Sequence, residues 1–476
     1  MALNAATTWE VRAGGSDNNG GAFRTGASGT DFTLQDAAQG SGTNLTVDAT
    51  TNTDVTPDGY SVSAADVGNH IQITAGAGFT QGFYEIVSIQ GGTKWRLDRS
   101  PAATSTSGGT WAIGGALATP GKAAGAKIAG NDIFIKYNAS AYEFTTSSSN
   151  VSGGIVNDTT GGVANTNWTH WVGYDSTRTI NNSDANRPTI KIPAAGVSSV
   201  KCLRIAGSHG MFCNLIVDGS SKTSITGFAL ESAAYLAINN CKAINCTSVG
   251  IDFNPGSRGN MYSCEASGCS GTAAIRVGGD GVIAVVCYAH DNTCTGFAMG
   301  LGTAMFCVSE SNSGGSSDGF GNTSIGYTTI SCTAYNNGRD GFNLDSNAWI
   351  NHLYNCLAYG NAGEGFGSDG VKDGARLVNC AGGSNTGGNY NASNLTHVFN
   401  FVSLSGDPFN GAAGGDFSLD STSGEGAACR AAAFPGVMPG GLSTGYLDIG
   451  ALQHADTGGG GGGALLRPVS MSGGFV

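Results

Sequence analysis

From Gly227 to Gly388 the chain is built of short stretches in which apolar and polar residues alternate, each closed by Gly, Asn, Ser or Asp. Gly341–Asp345 (GFNLD), Tyr327–Tyr335 (YTTISCTAY) and Asn351–Tyr359 (NHLYNCLAY) are examples. Alternation over so few residues is the signature of short strands separated by turns. The stretches repeat in rows. Phe228, Ile251, Ile275, Phe297, Phe320, Phe342 and Phe366 form one column, at spacings of 23, 24, 22, 23, 22 and 24. Cys241, Cys264, Cys287, Cys307, Cys332, Cys356 and Cys380 form a second, at spacings of 23, 23, 20, 25, 24 and 24. Cys213 fits an earlier, less regular coil.

A period near 23 is too short for paired-helix repeats, and the L-x-x-L-x-L frame of leucine-rich repeats is absent. Three short strands and three turns fill one period. The expected fold is therefore all-β: a right-handed parallel β-helix whose coils stack about 4.8 Å apart. Stacking explains the columns, because the same inward position recurs in every coil. Cysteine is small, apolar and readily buried, so the column is expected to be a reduced ladder in a narrow interior. The thiols line up along an axis instead of converging on a point, so no metal is expected. Cys246, Cys269 and Cys294 form a shorter column that leaves room for one disulfide without requiring it. Asn245, Asn292, Asn312, Asn337, Asn361 and Asn385 follow the cysteines by four or five residues and are expected to stack as turn ladders, helped by the tolerance of Asn for left-handed geometry.

Composition supports many tight turns: 79 of 476 residues are Gly and only 12% are charged. The net charge of −12 comes without any basic cluster, which argues against nucleic acid or an anionic membrane as partner. No apolar run reaches membrane-spanning length, and the first residues lack the pattern of a secretory signal. A reducing cytoplasm is the expected folding compartment.

The rows, most clearly NCLAYGNAGEGF (Asn355–Phe366), resemble the pectate-lyase-like right-handed β-helix superfamily. TWEVRAGGSDNNGGAF (Thr8–Phe23) and LATPGKAAGAKIAGNDIFIK (Leu117–Lys136) resemble its N-terminal cap, in which a strand and a helix close the open end. Asp407–Ala428 and Gly445–Gln453 resemble its closing segment. The resemblance divides the chain into a cap (1–32 and 117–150), an inserted small β-domain (33–116), the β-helix (151–405), a closing segment (406–456) and a Gly-rich linker with a tail peptide (457–476). The insert and the two ends are also similar to modules of tailed-phage structural proteins. The resemblance implies a fold that hosts lyases, hydrolases, epimerases and non-enzymatic adhesins alike.

Gly315–Gly319 matches G-x-S-x-G and Gly365–Gly370 matches G-x-G-x-x-G, but neither has the strand-to-helix context that gives those motifs their chemistry. Stacked carboxylates are the better candidates. Asp318, Asp340 and Glu364 each precede the Gly-Phe of a row, and Asp345 and Asp369 each follow that Gly by four residues. If Phe342 and Leu344 point inward, Asp345 points outward, and coil stacking brings it about 5 Å from Asp369, near the carboxyl separation of retaining glycosidases. Asp345, Asp369, Asp340 and Glu364 are thus the catalytic candidates, against the alternative that they are solvated turn acids. Asp345, Asp369, Lys372 and Arg376 are the glycan-binding candidates. No cofactor is expected.

These readings lead to a virion structural protein of a tailed phage, such as a capsid decoration, fibre or spike-like subunit, assembled in the host cytoplasm. Its expected partners are capsid or tail subunits and a host surface glycan, and its expected state a homo-oligomer compatible with a trimer. The alternative is a polysaccharide lyase or glycoside hydrolase of the same fold.

Overall fold

The computed structural model describes residues 4–143, 156–162, 167–178, 186–192, 199–220, 222–231, 235–253, 258–323, 326–344, 351–368, 370, 374–430, 432–433 and 447–453. They form two compact units: residues 1–191 with 205–215, and residues 192–204 with 216–476.

In the first unit, the strand Thr7–Val11 pairs antiparallel with Ala22–Arg24 and parallel with Asp132–Lys136. Parallel pairing continues through Thr169–Tyr174 to Gly210–Cys213. The expected cap helix spans Pro120–Ala126, with Pro at its first turn and the Thr119 side chain accepting from Lys122 N–H. Lys127, just beyond it, is buried against Asp158 (2.6 Å), whose other oxygen accepts from the Trp171 indole. Between cap strands the chain closes a six-stranded antiparallel barrel from Gly40 to Ile113. Trp95, Trp111, Tyr84, Ile71 and Val55 fill it. The alternation in HIQIT, FYEIVSI and KWRLD produces this barrel, one face of each strand supplying the core.

The second unit is a parallel β-solenoid. Each coil contributes one strand to each of three sheets. Sheet I contains Thr226–Leu230, Val249–Phe253, Ala273–Val277, Thr295–Met299, Phe320–Asn322, Phe342–Asn343 and Phe366–Gly367. Sheet II runs from Leu236–Asn239 to His397–Phe399, and sheet III from Ile216–Asp218 to Val402–Ser403. The closing strands Phe409–Gly411 and Asp416–Leu419 pair with each other, and Phe409 and Phe417 pack on Tyr335 of sheet III.

The inward columns stack as expected. Phe297, Phe320, Phe342 and Phe366 are fully buried, with successive ring centroids 4.8, 4.8 and 5.1 Å apart and nearly parallel planes. All thirteen cysteines are buried and free. Burial pushes the Cys202 thiol well up, as expected for an inert side chain.

The asparagine ladder differs from expectation in one respect. Asn292, Asn312, Asn337, Asn361 and Asn385 form a continuous chain, each Nδ2 donating to the next Oδ1 at 2.8, 2.8, 3.0 and 2.9 Å. The second Nδ2 hydrogen reaches a carbonyl of the preceding coil, as from Asn337 to Ser309 O (3.1 Å). The Oδ1 atoms of Asn292, Asn337, Asn361 and Asn385 each also accept a main-chain N–H, as Asn361 does from Asn337 (3.0 Å). Asn245 is not in this chain; its side chain bonds Asp218. Its place is taken by Cys246 and Cys269, which occupy the same rung: Cys269 N–H donates to Asn292 Oδ1 at 2.8 Å. Left-handed geometry belongs to the residue before each rung, including Asn245 (φ 55°), Asp291 (53°), Ser311 (49°) and Asn336 (51°). The Gly before each Phe makes room for the rung: a Cβ on Gly341 would sit 2.9 Å from Asn361 Nδ2 and 2.7 Å from Gly365 O.

Asn337→Ala leaves Asn312 Nδ2 and Asn361 Oδ1 without their partner, and a denaturant titration should show a loss of about 2–3 kcal/mol. Val286 holds left-handed geometry at φ 53°, where a β-branched residue is strained. Val286→Asn should therefore raise stability by about 1 kcal/mol in the same titration.

Candidate functional site

The acids that precede sheet I form a ladder of their own. Asp318 Oδ1 accepts from Asp340 N–H (3.3 Å), and Asp340 Oδ1 accepts from Glu364 N–H (2.8 Å). Arg339 grips both oxygens of Asp318, at 2.6 and 2.9 Å, and its Nε lies 3.5 Å from Asp340. Asn343 Nδ2 donates to Asp318 Oδ2 (2.9 Å), and Glu364 Oε2 accepts from Ser368 N–H (3.2 Å). Asp318 and Asp340 are only 4% and 9% exposed, so they are not solvated turn acids. Burial pushes the Asp318 carboxyl up to about 7, the Arg339 guanidinium pulling against it. These carboxylates are occupied in joining coils.

Asp345, Asp369 and Lys372 lie outside the described residues. Phe342 and Leu344 do point inward, both fully buried. Asp340 and Glu364 meet at the edge of sheet I. Arg376 is exposed on sheet II, in register with His352 and His397.

A second constellation stands on the outer face of sheet III. Lys242, Glu265 and Tyr288 are in register on consecutive coils, and His290 is in register with Glu310. Glu265 Oε1 is shared by Lys242 Nζ (2.6 Å) and His290 Nε2 (2.9 Å), while His290 Nδ1 meets Asp291 (2.8 Å). The Tyr288 ring stacks on His290 with centroids 4.2 Å apart, and its hydroxyl donates to Glu310. Burial raises the Glu265 carboxyl, but His290 and Lys242 outweigh it and hold it down at about 2. Burial lowers His290, and its two carboxylate partners more than compensate, so its pKa is raised. Burial also raises Glu310. The result is a compact patch of two carboxylates of different acidity, a lysine, an imidazole and a phenol, with all five groups half-buried or nearly buried on a rigid wall.

The sequence reading missed this patch. The signal was present: Lys242, Glu265 and Tyr288 each follow a column cysteine by one residue, and His290 and Glu310 follow theirs by three. Those offsets alternate with the inward Ala243, Ala266, Ala289 and Ser309, so all five point outward.

No group of side chains among the described residues is arranged to hold a metal ion. No family model and no curated protein matches the chain. Among solved structures, it is similar to pectate lyase Pel9A, at 16% identity over 71% of this chain and 91% of that chain, with a TM-score of 0.55. The fold is the pectate-lyase-like right-handed parallel β-helix. Other β-helix structures resemble it more loosely. The tailspike protein gp49 from Pseudomonas phage LKA1 is 11% identical over 79% of this chain and 64% of that chain, with a TM-score of 0.28. ORF18 of Geobacillus virus E2 is 11% identical over 53% and 45%, with a TM-score of 0.34.

Both titrating groups can be read out. Asp318 has a folded pKa of about 7 against an ordinary 3.8, so its contribution to stability is complete below the lower value and is lost as pH rises through the higher. Unfolding midpoints should decline from pH 5 to pH 8, and Asp318→Asn should flatten that slope. In NMR titration, the His290 imidazole should ionise above its ordinary 6.5, and Glu265→Gln should lower its midpoint.

Proposed function

We propose that this protein is a structural subunit of a tailed-phage particle that contacts a surface glycan through the outer wall of sheet III. The observation that carries the glycan contact is the Lys242–Glu265–His290–Tyr288–Glu310 patch. Sugars are recognised by carboxylates that accept hydroxyl hydrogen bonds and by aromatic faces that cover C–H surfaces, and the patch carries both kinds of group, with Glu265 bonded to Lys242 and His290 and Tyr288 stacked on His290, on a backbone that neighbouring coils hold fixed. The structural role is supported by a coil interior built of ladders and by acids at sheet I spent on coil-to-coil bonds. The cap and closing sequences that resemble phage modules support placement in a virion, docked to capsid or tail subunits.

The second reading is a polysaccharide lyase or glycoside hydrolase. It is favoured by Asp318, a carboxyl that titrates near neutrality as a general acid must. Its oxygens are already taken by Arg339, Asn343 and a main-chain N–H, which favours the first reading.

Two measurements separate them. On a glycan array, the chain should bind a bacterial surface polysaccharide, and Tyr288→Ala with Glu265→Ala should weaken that binding by at least tenfold. Incubation with the bound polysaccharide should release no oligosaccharide. Release that disappears in Asp345→Asn, Asp369→Asn or Asp318→Asn establishes the enzymatic reading instead.

A further inference from the structure

The three walls of the solenoid differ. Sheet III carries the polar patch, whose Tyr288 already meets Phe417 of the closing segment, and is packed by Phe409, Phe417 and Ile449 on its later coils. Sheet I carries the Asp252–Arg276 ion pair on its outer face and is flanked by the Asp318–Arg339 pair. Sheet II is unlike either. Pairing registers place Tyr262, Val285, Met305, Ile330, Tyr354, Val378 and Phe399 in one outward column on consecutive coils. Their inward neighbours Met261, Ala284, Ala304, Thr329, Leu353 and Leu377 are buried, which fixes the direction of the stripe. The parallel outward column, from Asn260 and Ile283 to His397, contains no carboxylate. Ile283 is 38% and Phe399 51% exposed.

An apolar stripe of seven consecutive rungs is far more than the scattered surface hydrophobes of a monomer. At about 4.8 Å per coil it is roughly 29 Å long. Its three- and four-residue strands are about 10–13 Å across, so the sheet face itself offers roughly 300–400 Å² per copy, and the flanking turns must add the rest of the ~800 Å² per partner of a standard stable interface. We infer that the stripe on sheet II packs against a second copy of this chain. Two features point to a copy. The chain carries a net charge of −12, so two copies repel wherever acids face each other, and the outward columns of sheet II from Asn260 to Phe399 contain none. The stripe also has the coil period, and a second copy presents apolar rungs at that same period, so side chains can interleave along its whole length.

The test is the mass of the purified full chain by light scattering and sedimentation at tens of micromolar. Wild type should run as a multiple of 47.7 kDa, and Val285→Glu with Ile330→Glu as 47.7 kDa, with unchanged circular dichroism. Ile330→Cys provides a second readout that adds no charge to the face. Mild oxidation should cross-link it into a covalent dimer, because the thirteen native thiols are buried. A monomeric wild type, an undiminished mass in the double variant, or no cross-link overturns the inference. None of these outcomes depends on glycan binding or virion incorporation.

Discussion

Register is the constraint on which the molecule depends. Every strand of the solenoid lies directly on the same strand of the next coil, and main-chain bonds such as Phe320 N–H to Gly341 O and Phe342 N–H to Gly365 O (both 2.9 Å) repeat up the stack. Once coils are in register, each inward position becomes a column, and each column is solved by one chemistry. Phenylalanines stack face to face, thiols fill the narrow side, and asparagines satisfy every donor and acceptor they bring inside. A slip of one residue would send each Phe outward and each Asn out of reach of its neighbours, so the ladders hold the register that creates them. Glycine before each Phe belongs to the same solution, because only a residue without Cβ lets the Asn rung approach the sheet.

Much of this was legible in the sequence. The Phe and Cys columns recur with little jitter, since a core position tolerates few residue types. The Asn rung was legible but misassigned at one end. Its true offset is five residues past the column cysteine, and at that offset Cys246 and Cys269 precede Asn292. Accepting four residues brought in Asn245, which is the left-handed residue before the rung. Asn serves both positions, as a turn former and as a ladder member, so residue identity alone did not distinguish them.

The site was harder to read. Acids in turns are ordinarily solvated, and nothing in the local sequence shows that Asp318 and Asp340 cap the main chain of the following coil. That follows only from stacking, with Arg339 closing over them. The sheet III patch draws its groups from four coils, Lys242, Glu265, Tyr288 and Glu310, and no two adjacent coils repeat a residue type there. Repeat analysis finds sameness, whereas recognition sites are built where a repeat departs from itself. The outward stripe on sheet II escaped for the opposite reason: its residues are ordinary strand formers, and only the pairing registers separate them from the core.

Counting thiols shows whether the interior is built of reduced, stacked side chains held in register. With a thiol-reactive reagent and no reductant, the native protein should show no reactive thiols. After unfolding in denaturant it should show all thirteen, released in one step together with the loss of β-structure. Reactive thiols in the native state, or fewer than thirteen after unfolding, would rule out a buried, reduced cysteine ladder.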